Sequence, residues 1–256
     1  MAFTVDVLFP GFSGRLANGR LGWGTTALLR DGTHNVLMDA GGLVIRHDLQ
    51  PLLAQHGVAL DDIDTVLLSH LHADHSYNVD LFPHAEIVLS LREWEHASDL
   101  RTRDRSVNEG TIPLLRSFRT RLVVEPEEEI LPGLHAWLTP GHTRGATSYV
   151  VVRDDGDWVL TGDAVKNRGE LEFEEIQQSV DMEQSLASLR AIKARASRVL
   201  PGHDGWLTID DGRVVPEGGN DVVLNLGQGL TVNGQTSLTL TMGWQQPADR
   251  PNRNEK

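Results

Sequence analysis

No cysteine occurs anywhere in the 256 residues. Disulfides, thiolate metal ligands and thiol nucleophiles are excluded together, while the redox compartment stays open. Long apolar runs are missing too. The longest are of strand length, far short of the roughly 20 residues a membrane-spanning helix needs. The start, Met1-Ala2-Phe3-Thr4-Val5-Asp6, has neither a basic nor an apolar leader region. No membrane association and a cytoplasmic location are the expectations. Positive charge is the third shortage, with 23 Lys and Arg against 36 Asp and Glu, a net of −13. A field of that sign repels phosphate backbones, which disfavours nucleic acid as a partner and leaves a small-molecule substrate. A solvated acidic surface accounts for the same charge without any partner. The 39% hydrophobic fraction suits a globular chain with ample core.

What is present is concentrated in Ser69-His70-Leu71-His72-Ala73-Asp74-His75-Ser76. Four metal-capable side chains fall here just after the apolar run Thr65-Val66-Leu67-Leu68, which reads as a short buried strand. The ligands would then sit on the loop leaving its end. His70 and His72 alternate and can point the same way from an extended backbone. Asp74 and His75 are adjacent and cannot both follow them, which suits a second metal beside the first. Imidazole with carboxylate is a donor set that Zn, Mn, Fe or Co accepts.

Residues 3–9 alternate as an edge or half-buried strand, and 25–30 with 35–38 read as a hairpin. Between them the Gly-rich stretch 11–24 forms a loop carrying Arg15, Arg20 and Trp23 that could border a site. Asp39 is either a carboxylate behind the ligands or a turn residue. Residues 43–55 have helical spacing ending at Gly57, and 86–89 read as a strand. Residues 90–121 hold seven arginines against five acids, read as helical segments with an irregular middle at 108–110. That patch could steer an anionic substrate, or be arginines laced with acids on solvated helices. Strands are expected at 122–125, 134–139, 147–153 and 158–161, the last two paired across 154–157. Asp181 is a good N-cap for a helix to about Arg195 with Leu186, Leu189 and Ile192 on one face. Residues 198–200 are read as the final strand of the body. Residues 222–226 and 237–242 are further strand candidates, the second an exposed-looking one that could serve as the edge of a homodimer, and 245–256 read as a disordered tail. One domain over 1–244 is the simplest organisation.

Three distant positions share the character of the first stretch. His142 in Pro140-Gly141-His142, Asp163 in Thr161-Gly162-Asp163 and His203 in Pro201-Gly202-His203 each follow an expected strand and a glycine, which lets the backbone turn sharply. The other histidines, His34, His47, His56, His84, His96 and His135, lack this context and are read as surface or packing residues. Seven ligands fit two metals with one carboxylate shared, leaving room for a bridging water or hydroxide.

The run His70-x-His72-x-Asp74-His75, then Gly-His142, Gly-Asp163 and Gly-His203 in that order, resembles the metallo-β-lactamase-fold hydrolase superfamily over residues 25–203. The resemblance implies an α/β fold, a four-layer αβ/βα sandwich of two mixed β-sheets flanked by helices. It implies one metal on His70, His72 and His142, another on Asp74, His75 and His203, and Asp163 bridging, with two divalent ions, first of all Zn. The β-lactamase branch with a Cys ligand is impossible without cysteine. A bridging Asp points to the branch of glyoxalase II, lactonases, phosphodiesterases and ribonuclease Z, and residues 204–256 are too short and Gly-rich for the helical domain of glyoxalase II. Acyl-homoserine lactonases usually place Tyr three residues after the bridging Asp, where this chain has Lys166. Flavo-diiron oxidoreductases have Glu in place of His72, which disfavours redox chemistry.

The expected activity is therefore dinuclear hydrolysis of an ester or lactone by a metal-bridging hydroxide, with Asp74 orienting the nucleophile and Asp163 holding the metals. Tyr77, Lys166 and Asn167 are candidate substrate contacts, and loop residues 11–23 and 90–121 the candidate rim. The alternatives are a phosphodiesterase or ribonuclease on the same metals, and a catalytically silent binding module.

Overall fold

A strand buried on both faces carries apolar side chains at nearly every position, because successive residues point to opposite sides of the sheet. The chain has several of these. In the computed structural model, which describes residues 3–99, 104–218 and 221–242, they build two mixed sheets. The first sheet holds Thr4–Phe9, Thr26–Arg30, Asn35–Met38, Thr65–Leu67, Glu86–Ser90 and Arg119–Val123, in that spatial order. Its first two pairings are antiparallel and the remaining three parallel. The second sheet runs, again in chain order, through Glu127–Leu131, Leu134–Leu138, Thr147–Val151, Asp157–Gly162, Ala196–Pro201, Leu207–Asp210 and Arg213–Pro216. There only Asp157–Gly162 and Ala196–Pro201 pair in parallel.

Alternation sorts the side chains into three apolar layers. Ala27, Leu29, Val36, Met38, Leu67 and Val88 point inward and pack against Ile130, Leu134, Ala136, Tyr149, Val151, Leu160 and Leu200 of the second sheet. Their neighbours Leu28, Leu37, Val66, Ile87 and Leu89 point outward, onto Leu49, Leu53, Val79, Phe82, Ile112 and Leu115. On the far side Val150, Val159 and Val199 meet Leu171, Leu189 and Ile192. The helix Met182–Arg195 lies there, N-capped by Asp181 as expected, though its buried stripe is Ser185, Ser188, Leu189 and Ile192, with Leu186 only half-buried. The four layers implied by the resemblance are thus present. Tyr149 ties the two sheets together: fully buried, its hydroxyl lies 3.1 Å from Leu68 O and 3.2 Å from Val88 O.

Several expectations need correcting. Residues 43–55 do not form one helix; a 3₁₀ turn Leu43–Ile45 precedes a helix Leu49–Ala54. Pro51 sits in that helix's first turn, and its ring and missing N–H prevent the helix from starting further back. Leu43 is accordingly 62% exposed. Residues 198–200 are not the last strand of the body, because the hairpin Leu207–Asp210 with Arg213–Pro216 follows across Asp211 and Gly212, both at positive φ (46° and 76°). Glu127–Leu131 was not expected as a strand, since three consecutive glutamates are poor strand formers. They are accommodated at a sheet edge, where Glu127 pairs with Arg195 at 2.9 Å and Glu128 with Arg121 at 2.6 Å. Ser237–Leu240 pairs with Val222–Asn225 as a separate two-stranded hairpin. The expected tail, 245–256, lies outside the described residues. No helix among the described residues is long and apolar enough to cross a membrane.

Candidate metal centre

The ligand candidates leave their strands at one end of the two sheets. His70 and His72 follow Thr65–Leu67, and His142 follows Leu134–Leu138. Asp163 and His203 follow the parallel neighbours Asp157–Gly162 and Ala196–Pro201. Asp74 and His75 lie in the helical turn Ala73–Ser76. Gly162 takes a left-handed φ of +48°. Gly202 does not, but a Cβ there would overlap Asp163 Oδ1 and the backbone of Gly162. The glycines before the ligands thus act in two ways, by permitting a turn and by making room.

All seven side chains converge. Their donor atoms form three overlapping groups, His70–His72–His142, His70–His75–Asp163 and Asp74–His75–His203, each within 4.8 Å. Asp163 spans the cluster: Oδ1 lies 3.2 Å from both His75 Nε2 and His203 Nε2, while Oδ2 lies 3.2 Å from His142 Nε2. Asp74 Oδ2 stands 3.6 Å from His203 Nε2 and is part-exposed toward the cavity. Despite these close approaches, buried His70 Nε2, His75 Nε2 and Asp163 Oδ1 make no hydrogen bond of good geometry among the described residues, although buried polar atoms normally find one. A cation is the partner such a set of inward lone pairs fits.

The opposite ring nitrogens are all engaged, which fixes each imidazole's orientation and tautomer. His75 Nδ1 lies 2.7 Å from Asp39 Oδ2, and Asp39 also accepts from Ser69 N and Ser69 Oγ, both at 2.8 Å. Because the Ser69 hydroxyl donates to Asp39, it accepts from His70 Nδ1 at 3.0 Å. Asp39 is therefore a buried carboxylate behind two ligands, held at a φ of 53°. His142 Nδ1 lies 3.1 Å from Gln178 O, His203 Nδ1 2.7 Å from Trp23 O, and His72 Nε2 2.9 Å from Asp104 Oδ2.

Charge follows this geometry. Burial, reinforced by the imidazoles of His75, His72 and His142, holds His70 well below the usual histidine range. Burial likewise lowers His142 to about 3, so both present lone pairs at neutral pH. Burial disfavours ionised Asp163, but His203, His142 and His75 outweigh it and keep the carboxyl well below its ordinary range. Hydrogen bonds from His72 and from His96 at 3.2 Å hold Asp104 far down in the same way.

A cavity of about 580 Å³ opens over the cluster, lined among others by Asp74, Asp163, Lys166, Asn167, Arg15 and Arg20. Loop 11–24 borders it as expected. Tyr77 does not line it; the helical turn after His75 carries its ring to the side, 6.0 Å from the Arg46 guanidinium. Asn167 reaches the wall but is engaged, its Oδ1 capping the helix Arg168–Phe173 through Gly169 N and Glu170 N. The Arg-rich segment supplies no described arginine to the cavity, only Asp104 and Ser106. Arg121 is paired with Glu128, and Arg116 lies over Trp94 at 5.9 Å.

Two residues behind the ligands escape a reading of the sequence. Asp104 is one acid among many arginines. Glu93 completes Ser90-Leu91-Arg92-Glu93, the pattern of a capping box, and its N–H does donate to Ser90 Oγ at 3.0 Å. Its carboxylate, however, is fully buried and turned away, accepting from Leu71 N at 2.9 Å and from Thr143 Oγ1. It thereby joins the His70–His72 loop to the His142 loop. His96, read as surface or packing, is buried and bonds Asp104.

Comparison with known proteins agrees with this picture. The model of the family described as the metallo-beta-lactamase superfamily matches residues 21–203. Metallo-beta-lactamase domain-containing protein 1 of Xenopus laevis is 30% identical over 202 residues, covering 78% of this chain and 79% of the relative. An N-acyl homoserine lactonase of Bacillus thuringiensis is 28% identical over 158 residues, 60% of each chain. In fold, the chain is similar to B. thuringiensis AiiA with N-decanoyl-L-homoserine bound at its active site (TM-score 0.64, 21% identity, 79% of this chain and 93% of that one). It is also similar to AidC, a dizinc quorum-quenching lactonase (TM-score 0.62, 18% identity, 76% and 79%).

Proposed function

This chain belongs to the metallo-beta-lactamase superfamily and is a metal-dependent hydrolase, and we propose that it holds two divalent cations, zinc by preference, and hydrolyses a lactone or ester. The observation carrying this reading is Asp163, whose two oxygens face different histidines, Oδ1 toward His75 and His203 and Oδ2 toward His142. One cation would rest on His70, His72 and His142, the other on Asp74, His75 and His203, with Asp163 shared. Nitrogen and carboxylate donors without a thiolate suit zinc and leave Mn, Fe and Co as competitors. The lactonase names of relatives at 28% identity support the substrate class.

Bound cations of this kind make water nucleophilic near neutral pH and polarise a carbonyl. The protein's own residues do the rest. Asp74, part-exposed at the cavity floor, would give the metal Oδ2, the oxygen nearer His75 and His203, and orients the attacking water by accepting its hydrogen bond at Oδ1. Lys166 Nζ, steered by Glu170 Oε1 at 3.4 Å, lines the wall three residues after Asp163 and offers its ammonium to the leaving oxygen. Buried Asp39 and Asp104 keep the imidazoles from rotating as charge shifts across the site.

The test is metal content of protein purified without chelator, followed by a panel of lactones, aryl esters and bis(p-nitrophenyl) phosphate. Two metals per chain and lactone or ester turnover, both lost in an Asp163→Ala, His70→Ala double variant, is the expected result. One metal per chain would refute the dinuclear centre. Turnover of the phosphodiester alone would transfer the site to phosphodiester hydrolysis.

A further inference from the structure

We propose that the hairpin over the cavity mouth is an anion-binding element, and that the substrate bears a carboxylate or phosphate group apart from its scissile bond; this rests on the hydrolase reading above. The hairpin consists of Arg15–Leu16 and Gly19–Arg20, and in its register Arg15 stands directly opposite Arg20. Like charges opposed across an antiparallel pair repel, so the arrangement weakens the hairpin that carries it. Neither guanidinium has a carboxylate partner among the described residues, in a chain with thirteen more acids than bases. The cavity's own acids are all engaged: Asp74 and Asp163 with histidines, Asp104 with His72 and His96, Glu170 with Lys166. The arginines are thus unneutralised cations at the entrance to a site whose other charges are committed.

Their position is fixed. At the hairpin's base Phe12 and Trp23 exchange backbone hydrogen bonds of 2.9 and 3.1 Å, and their rings pack with centroids 5.0 Å apart. Trp23 O in turn accepts from the ligand His203. Continuing this register puts Ser13, Arg15, Arg20 and Gly22 on one face, and all four line the cavity. Two guanidinium forks side by side match the paired oxygens of a carboxylate or phosphate better than a point charge would.

The experiment has two arms, both on metal-loaded protein. In the first, glutarate and inorganic phosphate are titrated calorimetrically into wild type, an Arg15→Gln, Arg20→Gln variant and an Arg15→Glu, Arg20→Glu variant. We expect about tenfold weaker binding in the neutral variant and weaker binding still in the reversed one, where only the metals attract the anion. Which probe binds tighter distinguishes a carboxylate from a phosphate substrate. Equal affinity across the three proteins overturns the proposal. In the second arm, a lactone with a free side-chain carboxylate is compared with its neutral methylamide. A wild-type preference for the acid in kcat/KM that falls about tenfold in the neutral variant, and fades with added salt, supports the proposal. No preference, or one unchanged in both variants, overturns it. Failure to hydrolyse either compound would overturn the lactone and ester reading instead, while the binding arm still decides whether the hairpin takes an anion. Both arginines are exposed, so unchanged thermal midpoints are expected to show that the variants fold.

Discussion

Glu93 lies outside the ligand set, yet its removal should damage the metal centre. Glu93→Ala strips the acceptor from Leu71 N–H, between His70 and His72, and from the Thr143 hydroxyl, next to His142. Both donors are buried, and neither has another acceptor among the described side chains. Orphaning a buried donor costs about 1–3 kcal/mol. Two of them, with the void left by a fully buried side chain, predict a loss of roughly 3–5 kcal/mol in metal-free protein. At this chain length that is a fall in melting temperature of roughly 10 °C or more. Glu93→Gln keeps one oxygen for Leu71 N–H and turns its amide toward Thr143 Oγ1, which can accept instead. That variant should lose only about 1 kcal/mol.

The functional consequence separates this role from simple packing. If Glu93 sets the spacing of the two loops, the alanine variant should bind zinc about 10–100-fold more weakly, as when hydrogen-bond partners behind metal ligands are removed elsewhere. The glutamine variant should recover most of that loss. Guanidinium melts in the presence of a chelator give the stability, and competition with a chromophoric chelator gives the affinity. Zinc affinity equal to wild type in a destabilised Glu93→Ala protein would refute the positioning role. A stability change below about 0.5 kcal/mol would refute the hydrogen-bond accounting itself.

Asp39→Asn tests the carboxylate behind His75 and Ser69. Asn tolerates the left-handed backbone at φ 53°, so strain is not added, but one acceptor becomes a donor facing His75 Nδ1 or Ser69. Zinc affinity by chelator competition should fall about 10–100-fold, and wild-type affinity would show that Asp39 is a turn residue only. Chelation should itself destabilise the protein, since metal binds the folded site alone: at free metal a thousand times its dissociation constant, about 4 kcal/mol is lost, or roughly 10 °C in a calorimetric scan. An unchanged midpoint would deny that the orphaned donors of His70, His75 and Asp163 hold a metal. Gly202→Ala keeps an ordinary φ and adds a methyl against Asp163 Oδ1 and the Gly162 backbone, which together displace the carboxylate. Metal stoichiometry by elemental analysis should drop below two per chain, and full loading with full activity would mean that Asp163 does not need that space.

How much of this could be read from the chain depends on how locally each feature is encoded. His70, His72, Asp74 and His75 share six residues, and the strand before them is short and apolar, so their convergence follows from local backbone geometry. His142, Asp163 and His203 are far apart in sequence, but each follows a strand and a glycine. Strands entering neighbouring positions in sheets deliver their exits to one end, so this pattern too could be read. The sandwich came from the resemblance those motifs carry. Strand ends were harder to read. Glu127–Leu131 is paired because Arg195 and Arg121 come from distant elements to neutralise it, which no local propensity can express. The Asp211-Gly212 turn between Leu207–Asp210 and Arg213–Pro216 was a legible hairpin signal, and following it would have recovered those strands.

The groups behind the ligands were not legible, for two physical reasons. Some are backbone carbonyls, such as Gln178 O beside His142 and Trp23 O beside His203, and a carbonyl has no residue identity to read. Others, Glu93 and Asp104, are ordinary acids whose partners on the His70–His72 loop, Leu71 and His72, lie 22 and 32 residues away. Sequence patterns therefore specify which donor atoms converge, while long-range packing specifies how firmly they are held. The same division explains why the reaction class is readable and the substrate is not. The ligands follow one compact pattern, whereas the cavity wall is assembled from Lys166 after one strand, a hairpin at 15–20 and the ends of the 104–106 and 177–180 loops. Of these, the two opposed arginines are the feature that burial and packing do not explain, and charge on the substrate is what would explain them.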